Sequence, residues 1–275
     1  MTLRAALPVA ALALLAGACA PAGGERAARP TDTPAVVSLN PCADAILAEV
    51  AAPGQLLAVS HYSHDPASAS MPAEQARRYA STSGTVEEVL ALAPDTVVAD
   101  IFLAPRNRAA FEREGIAVVT LPIAQDIDQS LAQVRTLAGA VGQPERGEAL
   151  VGDITVALTS ARHTGPEIPT LLWQAGGIVP GEETLAMQLF DHAGFPSQSA
   201  ARGLGQGAYL PLEEVLADPP ALIVAAGEER MLTHPVLRTL AGTQYRTLDP
   251  TLLFCGGPTI PRLLDRLGEI RESLP

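Results

Sequence analysis

Two histidines and a tyrosine share the stretch SHYSHDPASAS (60–70). His61 and His64 could offer two imidazoles to a Zn²⁺ or Mn²⁺ ion, or one axial nitrogen to the metal of a haem or cobalt centre. Two imidazoles are too few for a bare-ion receptor, and His163, His192 and His234 read as helix-end or surface residues, so no bare-metal site is expected. Tyr62 is a planar ring with a polar tip, suited to a ligand that is part macrocycle and part amide or hydroxyl. Cys42 and Cys255 add sulfur: a disulfide, two free thiols or a thiolate on a ligand's metal are all open on residue type alone. Trp173, the single tryptophan, fits an aromatic wall or a core position equally.

The marks of an enzyme are missing. There is no G-x-S-x-G elbow, no P-loop and no G-x-G-x-x-G after the first strand. GLGQG (203–207) follows no clear strand. Cys42 beside a histidine could imitate a thiol nucleophile, but nothing else supports catalysis, and a non-enzyme is expected.

The elements that must position these residues alternate. VVSL (36–39), LLAVS (56–60), TVVAD (96–100) and IAVVTLP (116–122) are apolar strand-like runs, separated by helical spacings such as ADAILAEVA (43–51) and RNRAAFEREG (106–115). Continuous apolar strands between helices predict a parallel sheet covered on both faces. The rhythm then breaks into two consecutive helices, 126–142 and 144–163, with Pro144 at a helix start after Gly142. The second would be roughly 28 Å long and suits a strut. Alternation resumes with PTLLWQ (169–174), ALIVAA (221–226), YRTL (245–248) and a closing helix over 260–274. The expected fold is α/β, with two Rossmann-like lobes of parallel sheet, 35–143 and 164–275, joined by one long helix over 144–163.

The lobes carry a repeat. VEEVLALAPDTVVAD (86–100) and LEEVLADPPALIVAA (212–226) agree at eight of fifteen positions. Thr85-x-x-Glu88 predicts a capping box in which Glu88 reaches back to the Thr85 N–H, leaving Glu87 free; Glu213 is its counterpart. Acidic residues at helix starts also stabilise the helix dipole by about 0.3–1 kcal/mol each.

Composition narrows the partners. A net charge of −12 and a pI near 4.8 argue against nucleic acid. MTLRAALPVAALALLAGAC reads as an export signal over 1–18, with an apolar run too short to span a bilayer comfortably. Ala16-Gly17-Ala18-Cys19 resembles a bacterial lipobox, so Cys19 is expected to be lipidated and 19–34 to serve as a flexible tether. Export places the chain in a disulfide-permitting compartment, the periplasm.

The chain from Val36 onward resembles the substrate-binding proteins of ABC importers for metal chelates, the group for vitamin B12, ferric siderophores and haem. Val86–Asp95 and Leu212–Pro220 match that family's (L/V)-E-x-(V/I)-L/V-A-L-x-P-D phrase, the second less fully. The resemblance implies two lobes on a long helix that close little, ligand held between them, and a glutamate on each lobe docking an inner-membrane permease dimer with its ATPase. Glu87 and Glu213 inherit that role. Cleft loops are expected at 38–44, 60–70, 173–183 and 252–258, which brings Cys42, His61, Tyr62, Trp173 and Cys255 to the ligand. A disulfide between Cys42 and Cys255 would fit a family of small lobe movements. The 60–70 loop resembles the Ser-x-Tyr-Ser-x-x-Pro loop of the vitamin B12-binding branch, where the tyrosine packs on the corrinoid. That branch has a tryptophan six residues before each docking glutamate; here those places hold Ser81 and Gly207, with Tyr79 and Tyr209 nearby, and Tyr209 is expected to contact the ligand. Its charged ligand contacts near the last loop are replaced by the stretch Thr251–Cys255. The expected cargo is a cobalt corrinoid, with an iron chelate as the alternative.

Overall fold

The computed structural model describes residues 33–275. The expected signal (1–18), Cys19 and nearly all of the tether lie outside the described residues. The first lobe runs β1 (Val36–Ser38), α1 (Pro41–Val50), β2 (Leu56–Ser60), a 3-10 turn (His61–His64), α2 (Ala73–Ala76), β3 (Ala80–Thr82), α3 (Val86–Ala91), β4 (Thr96–Asp100), α4 (Pro105–Arg113) and β5 (Ala117–Leu121). Its sheet has the order β3-β2-β1-β4-β5 and every pairing is parallel. Parallel strands need crossovers, and the helices supply them.

Two helices follow without a strand: α5 (Ile127–Ala140) and α6 (Pro144–Ala161). At 18 residues α6 is about 27 Å long, close to the expected strut. The second lobe has β6 (Thr170–Gln174), β7 (Ile178–Val179), α7 (Leu185–His192), α8 (Gln198–Ala201), β8 (Ala208–Tyr209), α9 (Leu212–Ala217), β9 (Leu222–Ala226), β10 (Gln244–Leu248) and α10 (Thr259–Glu272). Its sheet is ordered β10-β9-β6-β7-β8.

Here the expectation of wholly parallel sheets fails on one edge. β10, β9 and β6 are parallel, but β7 pairs antiparallel with β6, and β8 antiparallel with β7. Only Ala175–Gly177 separate β6 from β7, too few for a crossover helix. Gly176 and Gly177, at φ 71° and 72°, supply the left-handed backbone that reverses the chain.

Strand alternation sorts the core into layers. The inner faces, through Val36, Val98, Leu172, Leu222 and Val224, join α1, α5, α6, α7 and α10 in one continuous apolar cluster. The outer face of the first sheet packs Val37, Val97 and Phe111 in a separate cluster, and the outer face of the second packs Leu171, Trp173 and Ile223. The lobes therefore share their largest core instead of meeting across a wet interface. Opening them would expose apolar surface at about 25 cal/mol per Å².

The expected capping box forms by half. Thr85 Oγ1 accepts from the Glu88 amide at 3.3 Å. Glu88 Oε2, however, accepts from the Thr82 hydroxyl, the Ser83 amide and the Ser83 hydroxyl at 2.8–2.9 Å, not from Thr85. The end of β3 lies against the helix start and offers better donors. These bonds, Thr82's first, hold the Glu88 carboxyl below its ordinary range.

Candidate ligand-binding cleft

In the first lobe every strand points the same way, so the loops after β1, β2, β4 and β5 emerge along one edge. In the second, the antiparallel pair restores β8 to the direction of β6, and the chain again leaves both on the same side. Between these edges lies a cavity of about 540 Å³ lined by both lobes. Asn40, Phe102 and Ile123 come from the first; Gln174, Glu183 and Phe254 come from the second. A smaller cavity of about 250 Å³ opens on the first lobe at His61, Tyr62 and Thr82, and it shares Asp100 and Phe102 with the larger one. Such volumes are typical of small-molecule sites.

The cleft floor is built by α1. Asn40 Oδ1 accepts from the amides of Cys42 and Ala43 at 2.8 and 3.0 Å, which fixes the helix start. Cys42, in that first turn, is joined by a disulfide to Cys255 of the opposite lobe, with their Cα atoms 5.2 Å apart. Of the options left open by residue type, the structure selects this one. Both cysteines line the larger cavity. Beside them Gly256 is pressed against α5. A Cβ there would overlap Ser130 Oγ and sit 2.9 Å from Leu185 Cδ2. Gly256→Ala is expected to cost about 2–3 kcal/mol by overpacking, read as a lower denaturation midpoint. An unchanged midpoint would mean that α5 yields freely.

The 61–64 turn presents its side chains unequally. His61 and Tyr62 are exposed, ring centroids 4.1 Å apart, on the wall of the smaller cavity. His64 turns away, its Nε2 hydrogen-bonded to the Ala76 carbonyl at 3.0 Å. The two imidazoles thus do not converge, and no cluster of three or more metal-ligating side chains exists among the described residues.

Two expected residues lie elsewhere. Trp173 is fully buried, not on the cleft wall: it shares the outer face of β6 with Leu171, and its Nε1 donates to the Leu210 carbonyl at 3.1 Å. Tyr209 is 61% exposed on β8 but does not line the larger cavity. Its ring covers Gly177, where a Cβ would come within 2.7 Å of Cε2. The aromatic surface comes instead from Phe102, 75% exposed after β4, and Phe254, 50% exposed before the disulfide. Sequence reasoning did not single out either. A large apolar residue just past a buried strand, as in TVVADIF, was the available signal.

The family model described as periplasmic binding protein matches residues 36–244. The chain belongs to that family. Its members are periplasmic solute-binding proteins, not enzymes, working with ABC permease and ATPase components. No curated protein matches the sequence. Similar solved structures include the periplasmic heme-binding protein RhuT of Roseiflexus sp. RS-1, at 22% identity and TM-score 0.66, covering 86% of this chain and 95% of that one. The heme-binding protein HutB of Vibrio cholerae is similar at 17% identity and TM-score 0.68, over 86% and 98%. The vitamin B12-binding protein BtuF of Vibrio cholerae is similar at 20% identity and TM-score 0.60, over 86% and 95%. At these identities the likeness is one of fold, and it agrees with the two-lobed α/β architecture.

In this periplasmic binding protein Glu87 and Glu213 are both exposed in the first turns of α3 and α9. α3 follows β3 and α9 follows β8, so the two carboxylates lie on opposite lobes. The cleft has a distinct electrostatic character. Its carboxyl side chains are Asp100 and Glu183, and no arginine lines either cavity among the described residues. The chain has 18 arginines and no lysine, so no lysine is available to reach in. The neutral polar lining is amide-rich, with Asn40, Gln125, Gln133, Gln174 and Gln206. No helix among the described residues is long and apolar enough to cross a membrane.

Proposed function

We propose that the protein captures a cobalt corrinoid, cobalamin or a close relative, between its lobes and delivers it to an inner-membrane ABC permease. The observation that carries this is the charge of the cleft: exposed rings and side-chain amides, with carboxylates and neither arginine nor lysine. A corrinoid offers a broad apolar macrocycle edged by neutral amides, which suits Phe102, Phe254 and Tyr62 on one hand and the glutamines on the other. Haem carries propionate carboxylates, and tricatecholate siderophores are strongly anionic. Burying either beside Asp100 and Glu183 without a partner is unfavourable. The relatives named for haem support a chelate of that size, and an iron chelate of neutral charge is the second reading.

Glu87 and Glu213 serve as the docking contacts, one per lobe, for a two-fold permease. A lipid on Cys19 holds the protein at the membrane through the tether. Cys42 and Cys255 contribute as a disulfide at the cleft floor, and His61 as a neighbour of Tyr62.

Isothermal titration with cyanocobalamin, dicyanocobinamide, hemin, ferrichrome and ferric enterobactin tests the reading. Corrinoids should bind, with the anionic chelates at least about tenfold weaker, a difference of about 1.4 kcal/mol. Tyr62→Ala should weaken corrinoid binding by about tenfold through loss of ring contact. Tight binding of hemin or ferric enterobactin with silence from the corrinoids would overturn it.

A further inference from the structure

Asp44 lies in the first turn of α1, fully buried beneath the 61–64 turn. Its Oδ2 accepts from the Ser60 amide at 2.9 Å and from the Ser63 hydroxyl at 2.7 Å. One atom therefore holds Ser60 by its backbone and Ser63 by its side chain, on either flank of His61 and Tyr62. Oδ1 is buried with no hydrogen-bond partner, and Asp44 forms no ion pair among the described residues.

The surroundings favour an uncharged group. β1 brings Ser38 close, its hydroxyl donating to the Asn40 carbonyl at 3.3 Å; the turn contributes the Ser60 amide and Ser63 hydroxyl. The titratable groups of the turn are His61, exposed, and His64, held on the Ala76 carbonyl. α5 and α6 meet α1 through apolar Val134, Leu137, Val151 and Ile154. A carboxylate in such a place, without a cation, is strongly disfavoured, whereas the neutral acid is tolerated. Burial pushes the Asp44 pKa from 3.8 to about 8, against the smaller lowering by nearby Ser38 and by the hydrogen bonds from Ser63 and Ser60. With Oδ2 already accepting two donors, the proton belongs on Oδ1.

We propose that Asp44 is a positioning residue that, as a neutral carboxylic acid, braces the 60–63 backbone so that His61 and Tyr62 are presented to ligand. The brace has a firm footing, because Cys42 in the same helical turn is bonded to the opposite lobe. The inference rests on the cleft being the ligand site.

The linkage has a definite sign. The folded protein keeps a proton on Asp44 that the unfolded chain releases above 3.8, so this group's contribution to stability is full below that pH. It declines as pH rises and is lost by about 8. Above that, the buried charge favours opening of the turn to water, which undoes the brace even though each donor bonds a carboxylate more strongly. Asp44→Asn keeps the shape and an acceptor for both donors, and it does not titrate.

Two readouts test this. Hydrogen–deuterium exchange of the 60–64 amides reports the brace without any ligand, and titration with cyanocobalamin between about pH 6 and about pH 9.5 reports its effect on binding. D44N should keep wild-type protection and affinity near pH 6 and lose the wild type's weakening at alkaline pH. D44A should speed exchange of those amides by about tenfold and weaken cyanocobalamin by about tenfold. If D44A does not fold, Ser63→Ala removes one of the two donors and should show the same changes at smaller size. The proposal is overturned if D44N is as damaging as the truncation, or if D44A or S63A leaves exchange unaltered. If the wild type binds no corrinoid, that counts against the proposed cargo, while the exchange comparison still decides the role of Asp44.

Discussion

Serine at both Cys42 and Cys255 lowers the stability of the folded protein by about 5 kcal/mol, because the bond they form closes a very long loop. The two residues are 213 apart in sequence, so the cross-link removes a large share of the freedom of the unfolded chain. For a chain of this size that loss corresponds to a melting midpoint lower by more than about 10 °C. Melting the double variant beside the oxidised wild type, with and without reductant, measures it. Reductant should bring the wild type down to the variant and leave the variant where it is. A midpoint within about 2 °C of wild type would show that the shared core alone restrains the unfolding chain.

Glu87→Lys combined with Glu213→Lys abolishes uptake while ligand affinity stays within about twofold of wild type, the pattern of lost electrostatic docking. Two attractive contacts become repulsive, one on each lobe, and like-charge juxtaposition at an interface costs several kcal/mol. Transport of labelled cyanocobalamin should fall by at least about a hundredfold, equivalent to about 2.7 kcal/mol, with each single change intermediate. The side chains are exposed, so the fold should survive with only a small loss of stability from the two helix dipoles. Affinity falling in step with transport would place these residues in the ligand site instead, and unimpaired transport would remove them from docking altogether.

Much of this architecture was legible in the chain, for physical reasons that also mark where legibility ends. Runs such as TVVAD and ALIVAA are buried on both faces, and such strands are readable as continuous apolar segments. The same property hid the placement of Trp173. When both faces of a strand are packed, alternation tells which residues share a face but not which face looks toward a ligand. The strands β7 and β8, two residues each, are too short to show any period, so the reversal of the second sheet's edge went unforeseen. Gly176-Gly177 was the one local sign of it. Glu88 was assigned the right neighbourhood and the wrong donor, because the competing hydroxyl and amide belong to a strand end that sequence spacing does not bring near. The loops at 60–70 and 252–258 were read as cleft loops and do line the cavities. Asp44 escaped notice because an acidic residue in a first helical turn looks like ordinary dipole compensation until its burial is seen.

The burial of Trp173 has a practical consequence for spectroscopy. As the sole indole, packed in the outer layer of the second lobe and donating to Leu210, it should emit at short wavelength and shift to the red only when that lobe melts. Its light therefore registers unfolding of one half of the molecule. A coloured cargo seated in the cleft would dim it through long-range energy transfer, not by touching the ring.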